Sequence, residues 1–295
     1  MILKDKKGNI FSMELILVIF IFLMTISIIT SLSENTSEKI TDSIEFNHLK
    51  KISEEGLDNL INNPGSPNNW EKLGNLNNVI SGLAILNSDN KTIKNSVSYD
   101  KIKKLENSYD LLIGKNIFYN QIKSSISLYQ INNKIPPLFF GDKDESGDVI
   151  SITRFVKCDY LSKYVLVDFG QSHTCNQNHE PSYSCGYFKI YNSYLKEFDY
   201  YLLVDDDFVN KLEYSIDDTH LMDLNFKKVN SNKIYLNDII LDKLKNNNSG
   251  IFFIHLNNNN PKSVVISIPK DLDKDYLVYD YFILNDCKLI FKTWY

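Results

Sequence analysis

Leu15–Leu32 is an apolar run with no charge, no proline and no glycine, placed at the front of a 295-residue chain. As a helix its 18 residues span about 27 Å at ~1.5 Å per residue, close to the hydrocarbon thickness of a bilayer. A soluble fold accepts such a segment only as a central helix, wrapped on every side. Its position directly behind Lys4, Lys6, Lys7 and Gly8 points instead to a transmembrane helix over 9–32.

Flanking charge sets the expected orientation. Three lysines and Asp5 precede the run, whereas Glu34, Glu38, Asp42 and Glu45 follow it, with Lys39 between them. Positive flanks stay in the cytoplasm, so residues 1–8 form a cytoplasmic leader and the rest of the chain lies outside the cell. A removable secretory signal is the competing reading. It is disfavoured by the length of the run and by the lack of a small-residue cleavage site behind it. Glu14 stands at the lipid edge, where a carboxylate is costly unless it reaches water or a positive group.

Lys7-Gly8, a short polar stretch, Glu14 and a long apolar helix together resemble the class III signal of archaeal type IV pilin-like proteins. That resemblance implies cleavage by a prepilin peptidase between Gly8 and Asn9. It also implies a retained helix, and pairing of Glu14 with the new terminal amine of a neighbouring pilin-like subunit. Glu14 lies one residue further from the glycine than the family spacing.

Residues 33–61 read as an amphipathic continuation of the helix. Ile40, Ile44, Leu49, Ile52, Leu57, Leu60 and Ile61 recur at helical spacing, and this face is expected to pack on the head. Asn62-Asn63-Pro64-Gly65-Ser66-Pro67 ends the helix. Trp70-Glu71 follows, then Ser81-Gly82-Leu83-Ala84, then Tyr99–Leu105 and Tyr109–Gly114. This order is similar to an uncharacterised group of archaeal pilin-like membrane proteins. Trp70, at a proline-bracketed turn, reads as a packing anchor.

From Ile117 onward β-branched and aromatic residues dominate. Strands are expected at Ile117–Tyr119, Ser125–Ile131, Val149–Val156, Tyr164–Phe169, Tyr200–Val204, Ile251–Leu256, Ser263–Ile268, Tyr276–Leu284 and Lys288–Trp294, with a helix at Leu236–Lys245. The fold class is therefore α+β: a long N-terminal helix packed on a mostly antiparallel β-sheet head. A head over 62–195 and a strand-rich part or second subdomain over 196–295 are expected, the boundary marked by the aspartates between Asp205 and Asp218.

The chain carries a net charge of −5. The three leading lysines against Asp5 and Glu14 leave −6 on residues 33–295. With Arg154 as the sole arginine, nucleic acid is not an expected partner. Cys158, Cys175, Cys185 and Cys287 all follow the membrane run, where an oxidising exterior favours disulfides. Cys175–Cys185 with Cys158–Cys287 is the favoured pairing, and the other connectivities stay open. Zinc on His173, Cys175, His179 and Cys185 is the rival, without a Cys-x-x-Cys knuckle to support it. Asp142, Asp144, Ser146 and Asp148, with Gly147 at the sixth position, resemble half of a calcium loop, but Thr153 stands where a bidentate glutamate is needed. No nucleophile elbow, His-Glu-x-x-His helix or phosphate loop is present. His255, inside an apolar run, reads as a hydrogen-bonded core residue. Asn35, Asn90 and Asn247 head glycosylation sequons.

The function expected is thus structural or adhesive, on a single-pass envelope protein whose partners are the bilayer and other pilin-like subunits, without a required cofactor. The alternatives are a monomeric anchored ectodomain that binds a ligand or hydrolyses a substrate, and a soluble domain with its N-terminal helix buried.

Overall fold

The computed structural model describes residues 6–145, 147–170, 183–217, 225–245 and 247–295, with side chains from Glu14 onward. One unbroken helix, α1, runs over Lys6–Asn62. It covers both the membrane run and the stretch expected to continue it. The head that follows contains mostly antiparallel sheets, so the architecture is α+β.

The first sheet has six strands in the order β1-β2-β5-β14-β3-β4. They are β1 (Ala84–Leu86), β2 (Thr92–Ser98), β3 (Lys123–Gln130), β4 (Leu138–Gly141), β5 (Ile150–Asp159) and β14 (Leu284–Trp294). All pairings are antiparallel except β2 with β5. Strict alternation on β5 turns Ile150, Ile152, Val156 and Cys158 inward and Ser151, Thr153, Phe155 and Lys157 outward, the pattern of a sheet with one covered face. Helix α2 (Tyr99–Asn107) and a π-helical turn at Asp110–Lys115 lie between β2 and β3.

The last turns of α1 share a hydrophobic cluster with this sheet. Leu49, Leu57, Leu60 and Ile61 are buried together with Ile152, Val156, Leu289 and Phe291. Two polar contacts fix the register. Ser53 Oγ lies 2.6 Å from Thr293 Oγ1, and Arg154 grips Asp58 through Nε at 2.8 Å and a terminal nitrogen at 3.2 Å. Ile40 and Ile44 are exposed, which corrects the expectation that the whole 33–61 face packs on the head. Burial begins only at Leu49.

Two four-stranded sheets complete the head. One has the order β11-β8-β13-β6, from β6 (Val165–Asp168), β8 (Phe198–Val204), β11 (Lys233–Tyr235) and β13 (Ser263–Pro269). The other has the order β10-β9-β12-β7, from β7 (Ser184–Tyr191), β9 (Glu213–Asp217), β10 (Lys227–Lys228) and β12 (Ser249–Leu256). Strand β8 contributes Tyr201 and Leu203 to the cluster beneath α1, and Tyr200, Leu202 and Val204 to a second cluster with Phe252, Ile254 and helix α3 (Asn237–Leu244). The sheet containing β8 is therefore a wall shared by two cores, buried on both faces. Because β6 pairs with β13, β7 with β12, and β3 and β5 with β14, a cut at 195/196 runs through all three sheets.

Two expected strands are absent. Ile117–Tyr119 lies in a turn behind the π-helical segment, with Phe118 buried on Phe291, ring centroids 6.1 Å apart. Most of Tyr276–Leu284 forms 3₁₀ turns at Lys274–Tyr276 and Tyr279–Phe282. There Tyr281 meets Tyr276 edge-on at 5.1 Å and Tyr160 at 5.7 Å. The other expected strands fall on β3, β5, β6, β8, β12, β13 and β14, and the expected helix on α3.

Candidate functional site

The anchor segment is bare. Every large apolar side chain from Leu15 to Leu32 is between 44 and 64% exposed, and none of the 18-residue apolar window is buried by the rest of the chain. Among the described residues α1 is the one helix long and apolar enough to cross a membrane. Burial of this segment inside the protein, the soluble alternative, is not what the structure has. Gly8 and Asn9 sit within α1, and Glu14 is exposed at the start of the apolar stretch.

At its other end α1 is locked to the head by the two short elements singled out in the sequence. The last carbonyls of a helix have no partner within it. Here the Leu83 N–H donates to Leu60 O at 2.7 Å and the Ala84 N–H to Asn63 O at 3.1 Å. Trp70 is fully buried, and its Nε1 donates to Gly82 O at 2.9 Å. A Cβ on Gly82 would stand 2.2 Å from Asn63 O, so only glycine lets this segment approach the helix end so closely. Gly65 has φ +87°, and a Cβ there would strike the Trp70 ring. Lys101, itself buried, donates from Nζ to Pro64 O at 2.6 Å and Ala84 O at 3.1 Å. Burial lowers its pKa, partly opposed by the Glu71 carboxylate. The elements around Trp70 and Ala84 thus form one latch around the helix exit.

The sequence-predicted chemistry of the head falls into three places. Asp142 Oδ2 accepts the Ser124 N–H at 3.0 Å, and Glu145 pairs with Lys292 at 2.7 Å. Asp144 and Asp148 are exposed, and Ser146 lies outside the described residues. No group of three or more His, Cys, Asp or Glu side chains placed to hold a metal occurs among the described residues.

Cys158 and Cys287 are both buried thiols, hydrogen-bonded to each other, with Tyr160 Oη 3.5 Å from Cys287 Sγ. The expected Cys158–Cys287 disulfide is therefore not formed, although the two side chains are neighbours. Their strands place Cys158 opposite Asn285, and Cys287 opposite Val156; the pair is diagonal rather than directly opposed, so its Cβ atoms lack the close spacing of facing cross-strand residues. Burial pushes the Cys158 thiol well up, whereas the hydrogen bond from Cys158 lowers Cys287.

Cys175, His173 and His179 lie outside the described residues, and with them the Cys175–Cys185 disulfide and the zinc set. Cys185 and His255 are opposed across β7 and β12, with Sγ and Nδ1 3.0 Å apart. His255 is buried and hydrogen-bonded, as expected; its partner, 70 residues away, became visible only through strand register.

A charge node missed in the sequence joins the sheets. Lys134 bridges Asp205 at 2.9 Å and Asp280 at 3.1 Å, both carboxylates being buried. Burial raises Asp205, but hydrogen bonds from Lys134 and the Asp207 N–H outweigh it and hold the carboxyl below its ordinary value. Asp205 is thus a structural partner of Lys134. A cleft of about 600 Å³ opens nearby, lined by Asp159, Asp168, Tyr279 and Phe282 among others.

No family model matches this chain, and no curated protein and no solved structure is significantly similar to it.

Proposed function

We propose that this protein is a single-pass anchor of the cell envelope, with its N-terminus in the cytoplasm, its head outside, and a structural or adhesive role. The observation that carries this reading is the bare apolar segment Leu15–Leu32, continuous with a helix end that is locked into a folded head. A water-soluble protein leaving so much contiguous apolar surface exposed would aggregate; a bilayer removes that cost. The lysines before the segment and the carboxylates after it support the orientation. α1 serves as transmembrane span and stalk, its last turns packed on the six-stranded sheet.

Processing after Gly8, and neutralisation of a neighbour's terminal amine by Glu14, extend this reading to pilin-like assembly. The exposed Ile40 and Ile44 leave the stalk free for a neighbour's helix.

Membrane fractionation with protease protection tests the anchor. The full chain is expected in the carbonate-resistant membrane fraction, with the head digested from outside intact cells. Recovery in the soluble fraction without detergent overturns the proposal. Mass determination of the mature N-terminus tests processing: Asn9 as first residue is the expected result, and a chain starting at Met1 removes cleavage while leaving the anchor.

A further inference from the structure

The face of the six-stranded sheet that points away from α1 carries large exposed apolar rings. Phe155 is 68% exposed and Phe139 59%. Strand register places Phe155, Lys288 and Tyr129 in one row across β5, β14 and β3. Tyr129 meets Phe139 of β4 edge-on, with centroids 5.4 Å apart. The adjoining row is Thr153, Ile290 and Ser127. Two rings therefore flank a lysine across two strand spacings, roughly 10 Å or about the length of a disaccharide, with hydroxyls alongside.

The head as a whole is acidic, with −6 over residues 33–295, and this face carries charges of both signs, Lys157, Lys288, Lys292 and Asp286 all pointing outward. Lys157 stands across from Asp286, and Lys292 is paired with Glu145. Lys288, between the rings, has no ion pair among the described residues. The row lies across three strands of an exposed sheet face, which suits an extended polymer better than a small molecule. Nucleic acid, with one charge per ~1.7 Å of duplex, calls for a denser cationic track than one lysine between two rings.

We propose that the Phe155–Lys288–Tyr129 face binds an acidic polysaccharide: sugar rings stack on Phe155 and Tyr129, hydroxyls meet Thr153 and Ser127, and a carboxylate reaches Lys288. This inference rests on the head lying outside the cell.

The test uses the full chain in detergent micelles, passed over immobilised polygalacturonate and over its methyl-esterified, uncharged form. Retention on the acid form, released by salt and much weaker on the ester, is expected. Lys288→Ala is expected to abolish the difference between the two columns. Phe155→Ala with Tyr129→Ala is expected to weaken binding roughly tenfold. These side chains face solvent, so an unchanged melting temperature shows that each variant is folded. Flow-through equal to blank beads overturns the proposal, as does wild-type retention of both variants. Equal retention on single-stranded DNA assigns the face to nucleic acid, and a dimer lost in Phe155→Ala assigns it to a second copy; either result overturns the polysaccharide. Protease protection fails separately: a head shielded inside the cell overturns the anchor orientation whatever the columns show.

Discussion

The two ends of α1 belong to one helix and have opposite fates. From Leu15 to Leu32 nearly every side chain is apolar and all are exposed. From Leu49 to Ile61 the sequence is mixed, yet Leu49, Leu57, Leu60 and Ile61 are almost completely buried. Apolar content alone does not decide burial within a chain; a complementary surface does. The six-stranded sheet supplies that surface to the last turns, and no described part of the head reaches the first ones. Substitutions at the two ends should separate accordingly, in head stability and in membrane retention.

The largest effect is expected at the latch. Trp70→Ala removes a fully buried ring and its bond to Gly82, and should destabilise the head by about 4 kcal/mol, read as a lowered denaturation midpoint in detergent. Leu57→Ala, within the docked turns, should cost about 3 kcal/mol and leave membrane retention unchanged.

Lys134→Ala strands two buried carboxylates and should cost about 2 kcal/mol, less than for a fully buried pair because the lysine is partly solvated. The same node predicts a pH dependence. A carboxyl held below its ordinary value contributes stability above its unfolded pKa of about 3.9 and loses it as pH falls through the lower folded value. Melting temperature should therefore drop below about pH 4 in the wild type, and less steeply in Lys134→Ala. Asp58→Ala breaks a partly exposed bidentate pair with Arg154 and should cost about 1 kcal/mol. Replacing Ile21 by Lys should leave head stability unaltered while lowering the membrane-bound fraction. If Leu57→Ala instead releases the chain from membranes, or Ile21→Lys melts the head, the two ends are not independent.

Where local pattern sufficed, the sequence was informative. The period of α1, the alternation along β5 and the β-branched runs of β12 and β13 each reflect one residue's relation to its near neighbours. Tyr276–Leu284 misled because Tyr and Phe favour strands by composition. Here the rings instead pack on one another, and Asn285 Nδ2 donates to the carbonyls of Asp280 and Ile283, which holds the turns. The exposure of Ile40 and Ile44 was not legible either, since periodicity marks a face without saying how far its partner extends. Lys134 with Asp205, and Cys185 with His255, depend on strands brought together from distant parts of the chain. The Trp70–Ala84 latch lay between: its pieces stood out in order, but that their backbone amides satisfy the end of α1 required three dimensions.

Between Leu32 and the first buried positions, α1 is a bare rod of 16 residues, about 24 Å long. In the proposed anchor, with Leu32 at the lipid boundary, that rod would set a clearance. Solutes and short neighbouring chains thinner than the gap would then pass beneath the head, while bulkier assemblies would have to push it aside, so lengthening or trimming the rod by whole turns would adjust which molecules reach the lipid under it.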